Sequence, residues 1–235
     1  MNRLSLVVAL GLGVGAPHSP HGFGPAEHAR AVPRTAADAS TVVQGPAANG
    51  DASSAWEASY AAEAAGKLEA ALRALDGLPA ARHVSYLADL RRGWLQYRLG
   101  RYLESVSAYR YAVSKEPAAI EARVALLLPL MALTKWQDVT QVAQDVLKID
   151  PDNYLATQRL ALAKFNTARF QEAEGLYRRL LLLYPSDLEM RAGLGWSLLR
   201  LGKHAQASAA FSQVLEVNRY HESATRGLQL ARAQP

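Results

Sequence analysis

The chain contains no cysteine, and that absence excludes several classes of site. Disulfide scaffolds, Cys-ligated zinc sites, thiol nucleophiles and cysteine lipidation are all excluded. Aromatic residues make up only 8% and charged residues only 20% of the 235 residues, although half of the chain is hydrophobic. The apolar share is therefore carried by Ala and Leu, which favour helices, and it is large enough to bury a core.

The N-terminus lacks an apolar run long enough to span a membrane. Residues 4–14 (LSLVVALGLGV) are apolar and follow a positively charged start at Arg3, whereas a membrane-spanning helix requires about 20 residues. This pattern is typical of a secretory signal. We therefore predict a signal peptide over residues 1–16 and a periplasmic or secreted protein. An apolar N-terminus without a targeting role is the alternative.

Residues 17–51 show neither helical nor strand periodicity. The segment is rich in Pro, Gly, Ala, Ser and Thr, which is typical of a disordered linker. Three of the six His residues, His18, His21 and His28, lie in it. Weak metal binding is the alternative to a solvated linker, but no ordered carboxylate accompanies these side chains. We predict neither a metal site nor a cofactor.

A period of 34 residues organises the rest of the chain, because Pro117, Pro151 and Pro185 are spaced by that interval. The same step relates a mostly aromatic set of residues: Tyr109, Ala143, Tyr177 and Phe211. After three periods, or 102 residues, Gly93-Trp94 recurs as Gly195-Trp196. Each period divides into two amphipathic helices with apolar residues at helical spacing.

This pattern resembles that of the tetratricopeptide repeat family. The clearest copy of the family pattern is the series Leu160-Ala161, Phe165, Ala173, Tyr177 and Pro185. The resemblance implies an all-α, right-handed solenoid of antiparallel helix pairs, preceded by the signal peptide and the linker. The predicted units are a degenerate repeat at 52–85, four full repeats at 86–119, 120–153, 154–187 and 188–221, and a C-terminal capping helix at 222–235.

Two residues depart from the family pattern. Arg92 lies where the family prefers Leu, and Pro129 falls inside the first helix of the second full repeat. A proline within a helix removes one backbone hydrogen bond and usually kinks the helix. Pro129 therefore either reshapes the surface of the array or is a tolerated local defect.

In relatives, the first helices of successive repeats line a concave groove that binds peptide segments. The resemblance places eleven residues there: Trp94, Tyr97, Arg98, Leu128, Met131, Leu162, Phe165, Asn166, Trp196, Leu199 and Arg200. Trp, Tyr and Arg are frequent at binding hot spots, and Met adapts to different partners. Such a groove suits an extended or helical peptide with apolar anchors and some acidic character. Alternatively, Trp94 and Trp196 pack between neighbouring first helices, and their exposure distinguishes these two hypotheses.

The sequence offers no catalytic residues. Outside the linker the only His residues are His83, His204 and His221, and none has the spacing of a metalloprotease helix. Nucleophile-elbow, phosphate-binding and dinucleotide-binding motifs are also missing. We therefore predict that the protein is not an enzyme.

The positive charge does not indicate a nucleic-acid partner. The formal net charge is +5, but it is distributed in bands along the chain. Residues 82–110 carry six Arg against two acids, whereas residues 111–153 carry four basic and six acidic residues. Binding to phosphates requires a concentrated basic face.

We therefore predict a scaffold or adaptor that binds a peptide segment of a protein partner in its groove, in the cell envelope. The alternative is a structural subunit of a larger envelope complex for secretion, pilus formation or outer-membrane assembly, which contacts its partners through convex or terminal faces.

Overall fold

The computed structural model describes residues 49–78 and 81–233, and within them every regular element is helical. The helices are α1 (Asn49–Ala64), α2 (Leu68–Arg73), a 3₁₀ turn (Ala74–Gly77), α3 (Arg82–Arg98), α4 (Tyr102–Lys115), α5 (Glu121–Ala132), α6 (Trp136–Ile149), α7 (Tyr154–Asn166), α8 (Phe170–Leu183), α9 (Leu188–Arg200), α10 (His204–Val217) and α11 (Glu222–Arg232). The all-α prediction is thereby confirmed for these residues. The predicted signal peptide and nearly all of the predicted linker lie outside them.

The helices from α3 onward form antiparallel pairs that stack in sequence order. Each helix packs against the next one along the chain, and the first helices of successive pairs (α3, α5, α7, α9 and finally α11) also contact one another. The second helices α6, α8 and α10 begin at Trp136, Phe170 and His204, at the 34-residue interval seen in the sequence. This arrangement is a helical solenoid in which each repeat buries its apolar face against its neighbours.

The turn inside each helix pair uses a left-handed residue at the same position of every repeat. Gly100 and Gly202 have φ angles of 75° and 74°, and the two intervening repeats place Thr134 and Ala168 there, at 53° and 60°. Around Gly100, the backbone N–H of Arg101 donates to the carbonyl of Gln96. This bond satisfies a carbonyl that the end of α3 would otherwise leave free.

The start of a repeat is fixed by an N-terminal cap at another equivalent position. The side chains of Asn153 and Asp187 accept hydrogen bonds from the backbone N–H groups of Ala156 and Met190, at 2.9 and 3.1 Å. His221 does the same for α11, because its Nδ1 accepts from the N–H of Ala224 at 3.1 Å. A cap of this kind satisfies one of the free N–H groups of the first turn.

Close contact between the two helices of a pair depends on glycine. A Cβ atom added to Gly93 would lie 2.7 Å from the ring of Tyr109, and one added to Gly195 would lie 2.7 Å from the ring of Phe211. Phe211 also meets Gly227 of α11, where an added Cβ would approach to 2.3 Å. The buried aromatic side chain of a second helix therefore lies directly against the backbone of the first helices on either side of it.

Both departures from the repeat pattern have a local explanation. The Arg92 guanidinium donates to the carbonyl of Leu75 at 2.9 Å, so it ties α3 to the turn that precedes it. Pro129 is buried, and α5 continues past it to Ala132. The helix thus tolerates the missing N–H.

Three predicted boundaries differ from the observed helix ends. α1 begins at Asn49, inside the predicted linker, because the Ala-rich sequence after it favours a helix. α3 begins at Arg82, before the predicted start of the first full repeat at residue 86, because the period locates equivalent positions and not the first residue of a helix. α11 ends at Arg232, before the predicted end of the capping helix at residue 235.

A matched pair of glycine substitutions tests the close contact. We expect Gly195→Ala to lower the free energy of unfolding by about 1–3 kcal/mol, because the new methyl group must displace the Phe211 ring. Gly175, within α8, has open space around its Cα. Gly175→Ala should therefore raise the free energy of unfolding by about 0.5–1 kcal/mol through helix propensity. Urea denaturation followed by circular dichroism measures both changes, and equal effects would contradict the packing described here.

Candidate binding groove

The candidate site is the surface formed by the first helices α3, α5, α7 and α9, which we call the first-helix face. The eleven predicted groove residues all lie on these four helices. They recur at equivalent positions, so that Trp94, Leu128, Leu162 and Trp196 form one row across the face. Their exposure differs greatly along the array.

Three of the predicted groove residues are buried, which leaves them little surface for contact with a ligand. They are Leu162, Phe165 and Trp196. Only 4% of the Trp196 side chain is exposed, because its ring packs edge-on against Phe211 at a centroid distance of 5.4 Å. Its Nε1 donates to the hydroxyl of Ser223 at 2.8 Å, so α11 covers this end of the face. Trp196 therefore packs between neighbouring first helices, as the alternative hypothesis stated.

Five other predicted residues are half-buried on the face: Trp94, Tyr97, Leu128, Met131 and Leu199. Trp94 and Tyr97 stack with their ring centroids 6.1 Å apart, and Tyr97 also meets Tyr102 at 5.6 Å. Burial raises the pKa of the Tyr97 hydroxyl, which therefore remains neutral and able to donate a hydrogen bond. The open part of the face is consequently apolar and aromatic, and it is centred on α3 and α5.

Two exposed leucines belong to the same surface, although the sequence analysis did not include them. Leu87 is 48% exposed and Leu155 is 42% exposed. Leu87 precedes Trp94 by two helical turns on α3, and Leu155 precedes Leu162 by the same distance on α7. This spacing was the available signal, because residues seven apart share one side of a helix.

The three polar residues predicted at the edge of the groove have different surroundings. Arg98 lies over the ring of Trp94 and 3.4 Å from a carboxylate oxygen of Glu63. Arg200 is exposed and lies over the Phe170 ring, 4.6 Å from its centroid. Asn166 is also exposed, and its side-chain amide donates to the carbonyl of Leu162 at 2.9 Å. Arg200 and Asn166 are therefore accessible, whereas Arg98 already has an anionic partner.

Glu63 organises the N-terminal end of the face, and the sequence analysis missed it. Its carboxylate accepts from Trp94 Nε1 at 2.7 Å and pairs with both Arg91 and Arg98. Arg91 is buried and also donates to the hydroxyl and the carbonyl of Ser59, each at 3.1 Å. A single carboxylate from α1 thus joins the degenerate first unit to three side chains of α3.

The described part of the chain shows neither a metal-binding cluster nor a membrane-spanning helix. The described side chains contain no cluster of His, Asp and Glu with the composition of a metal site. No helix among residues 49–78 and 81–233 is both long and apolar enough to cross a membrane.

Comparison with known proteins identifies the repeats. A family model described as tetratricopeptide repeat matches residues 159–228. A curated relative, the CTR9 homolog of Arabidopsis thaliana, is 33% identical over 90 residues, which are 38% of this chain and 8% of that protein. The chain therefore spans only a small part of this relative.

Solved structures share the fold over a larger part of the chain. MamA from Desulfovibrio magneticus RS-1 (residues 41 to the end) superposes with a TM-score of 0.66 at 20% identity and covers 74% of this chain and 98% of that structure. A thermophilic tetratricopeptide repeat protein from Thermus thermophilus superposes with a TM-score of 0.54 at 18% identity, over 77% of this chain and 98% of that one. At these identities the likeness establishes the tetratricopeptide repeat fold.

Neutralising Glu63 tests its role in holding α1 to α3. We expect Glu63→Gln to lower the free energy of unfolding by about 1–3 kcal/mol, because it leaves Arg91 buried without its carboxylate. The control is Glu69→Gln, which breaks an exposed pair with Arg101 and should cost less than about 1 kcal/mol. Thermal unfolding of both variants measures the difference. An effect of Glu63→Gln no larger than the control would contradict this role.

Proposed function

We propose that this chain, a tetratricopeptide repeat protein by its repeats and its fold, is a non-catalytic scaffold that binds a peptide segment of another protein on the first-helix face. The binding region is the part of that face on α3, α5 and α7. The C-terminal part is excluded, because α11 covers Trp196 there. The partner that we propose is a protein segment with apolar side chains.

The exposure of apolar side chains on this part of the face carries the proposal. Leu87 and Leu155 are nearly half exposed, and Trp94, Tyr97 and Met131 on the same face are only half-buried. Apolar surface that a fold leaves open in one continuous patch is frequently an interaction site. Tyr and Trp add large contact areas with few rotatable bonds, which favours binding.

The mechanism of binding is preorganisation. The side chains of the face project from helices that pack on both sides within the solenoid, so a ligand does not need to order them. Glu63 fixes the Trp94 ring through its Nε1, and Tyr97 is held between Trp94 and Tyr102. An incoming segment therefore meets aromatic rings whose orientation is already set.

We further propose that the protein is exported to the cell envelope. Support comes from residues 1–16, where an apolar stretch follows a basic start in the manner of a secretory signal.

A second candidate function, that of a structural subunit, is favoured by a different surface. The second helices α6, α8 and α10 end in exposed aliphatic side chains at Ile149, Leu183 and Val217, one repeat apart. Leu182 beside them is 84% exposed, and Tyr220 lies beyond Val217. These five residues form what we call the edge surface, which could contact a neighbouring subunit of a larger assembly.

Two double variants separate the candidates. Leu87→Ser with Leu155→Ser removes apolar groups from the first-helix face, and Leu182→Ser with Val217→Ser removes them from the edge surface. All four side chains are substantially exposed, so both variants should fold. The ligand is the peptide most enriched when a displayed library of random 12-residue peptides is selected on the unmodified protein.

We expect the face variant to bind that peptide at least about 10-fold more weakly, because it loses buried apolar contact area. The edge variant should bind with an unchanged Kd, measured by fluorescence anisotropy. The reverse result would favour the structural role and contradict the proposed groove. Failure of the library to yield any enriched peptide would also count against peptide binding.

Export is tested by the N-terminus of the mature protein. When the full chain is expressed in a Gram-negative bacterium, we expect the periplasmic fraction to contain a protein that begins at residue 16 or 17. Deletion of residues 4–14 should leave the chain in the cytoplasm with its first residue intact. An intact Met1 in the cytosolic fraction of cells expressing the full sequence would refute the signal peptide.

A further inference from the structure

Two arginines occupy equivalent positions on the first-helix face but have different surroundings. Arg91 on α3 and Arg159 on α7 are 68 residues apart, which is two repeats. Each is placed between an exposed leucine one turn before it (Leu87 or Leu155) and a residue of the Trp94 row one turn after it. The helical spacing therefore puts both side chains on the same surface.

Arg91 shows which partner an arginine at this position takes in the folded chain. Its guanidinium pairs with the Glu63 carboxylate, donates to Ser59, and lies 3.8 Å from the centroid of the Tyr60 ring. All these groups come from α1, the helix that packs before α3. The arrangement satisfies a buried cation with a carboxylate, hydroxyl and carbonyl oxygens, and an aromatic face.

Among the described residues Arg159 has no such partner. It is half-buried, and none of the ion pairs between described residues includes it. Its charge acts instead on the hydroxyls of Tyr97 on α3 and Tyr154 on its own helix. Burial raises the pKa of each hydroxyl, and the positive charge of Arg159 partly lowers it again. Tyr97 lies on α3 and Arg159 on α7, with α5 between them in the stack. The charge of Arg159 therefore acts across the first-helix face.

Three carboxylates on or beside the flanking first helices α5 and α9 have partners other than Arg159. Asp187 accepts from the Tyr154 hydroxyl at 2.5 Å and caps α9 at Met190 N. Glu121 accepts from the Tyr86 hydroxyl, and a carboxylate oxygen of Glu189 lies 3.2 Å from His221 Nε2. Burial lowers the pKa of the Arg159 guanidinium, and the groups that oppose this shift are the hydroxyls of Tyr97 and Tyr154, not a carboxylate. A carboxylate supplied from outside would compensate this cost.

We propose that Arg159 anchors an Asp or Glu side chain of the peptide segment that occupies the first-helix face, with the apolar residues of that segment on Tyr97, Met131 and Leu155. This proposal rests on the proposed function and specifies its ligand as an acidic amphipathic segment. The Glu63–Arg91 contact within the chain is the intramolecular counterpart of the proposed contact.

The test uses the full chain and two synthetic peptides. The first is the 12-residue peptide most enriched by library selection, with both ends blocked, and the second replaces its acidic residue by Gln or Asn. With the unmodified protein, we expect the acidic peptide to bind at least about 10-fold more tightly than its neutral partner, as a bidentate arginine–carboxylate contact would give. With Arg159→Gln, the ratio of the two affinities should fall below about 2.

Two control variants test whether the preference for the acidic peptide depends on Arg159 itself. Arg226→Gln removes the same charge from an exposed position of α11 and should preserve the preference for the acidic peptide. Arg159→Lys should retain part of it, because a lysine provides the charge without the planar pair of donors. The melting temperature of Arg159→Gln should be unchanged or higher, since the variant removes a half-buried charge that lacks an anionic partner. A lower melting temperature would indicate a structural role and contradict the proposal.

The remaining outcomes distinguish this inference from the proposed function. If the selected peptides bind the Leu87→Ser, Leu155→Ser variant as tightly as the unmodified protein, both fail. If they bind on the first-helix face but carry no acidic residue, or if Arg159→Gln keeps the preference for one, the anchor alone is overturned.

Discussion

The solenoid depends on the contact between an aromatic ring of a second helix and a glycine of the first helices beside it. Phe211 lies against Gly195 within its own repeat and against Gly227 of the next helix, and Tyr177 lies against Gly193 of the repeat that follows. One ring therefore holds three helices at once. Because a single methyl group at these glycines would displace the ring, the contact fixes the distance between helices, and that distance in turn positions the side chains of the first-helix face.

The end of the array determines which part of that face is available. α11 occupies the place of a further first helix, and its Ser223 accepts the hydrogen bond from Trp196. At the other end α1 contributes Glu63 to three side chains of α3, but it leaves Trp94 and Tyr97 only partly buried. Trp94 and Trp196 occupy equivalent positions of their repeats but differ in exposure. The reason is that α11 covers Trp196, whereas α1 covers Trp94 only in part.

This difference also marks how far the sequence could predict the structure. The 34-residue period identified the helix pairs and the row of groove positions, because each position repeats and its neighbours repeat with it. The period could not assign exposure, which depends on non-repeating partners such as Ser223 over Trp196. Glu63 was missed for the same reason, since the degenerate first unit gives little sign of which of its acids faces α3. Arg159 was missed because its proposed role depends on the absence of a carboxylate partner. The repeat pattern shows where an arginine lies but not whether it forms an ion pair.

The central claim is that a peptide segment occupies the first-helix face between α3 and α7, and the methionines allow a direct test. The chain has three Met residues: Met1, Met131 on this face, and Met190, which is buried at the start of α9. In a protein labelled with ¹³C at the methionine methyl groups, addition of the selected peptide should shift the Met131 resonance progressively to saturation and leave that of Met190 unchanged. Saturable binding of the peptide with no change in the Met131 resonance would contradict the account.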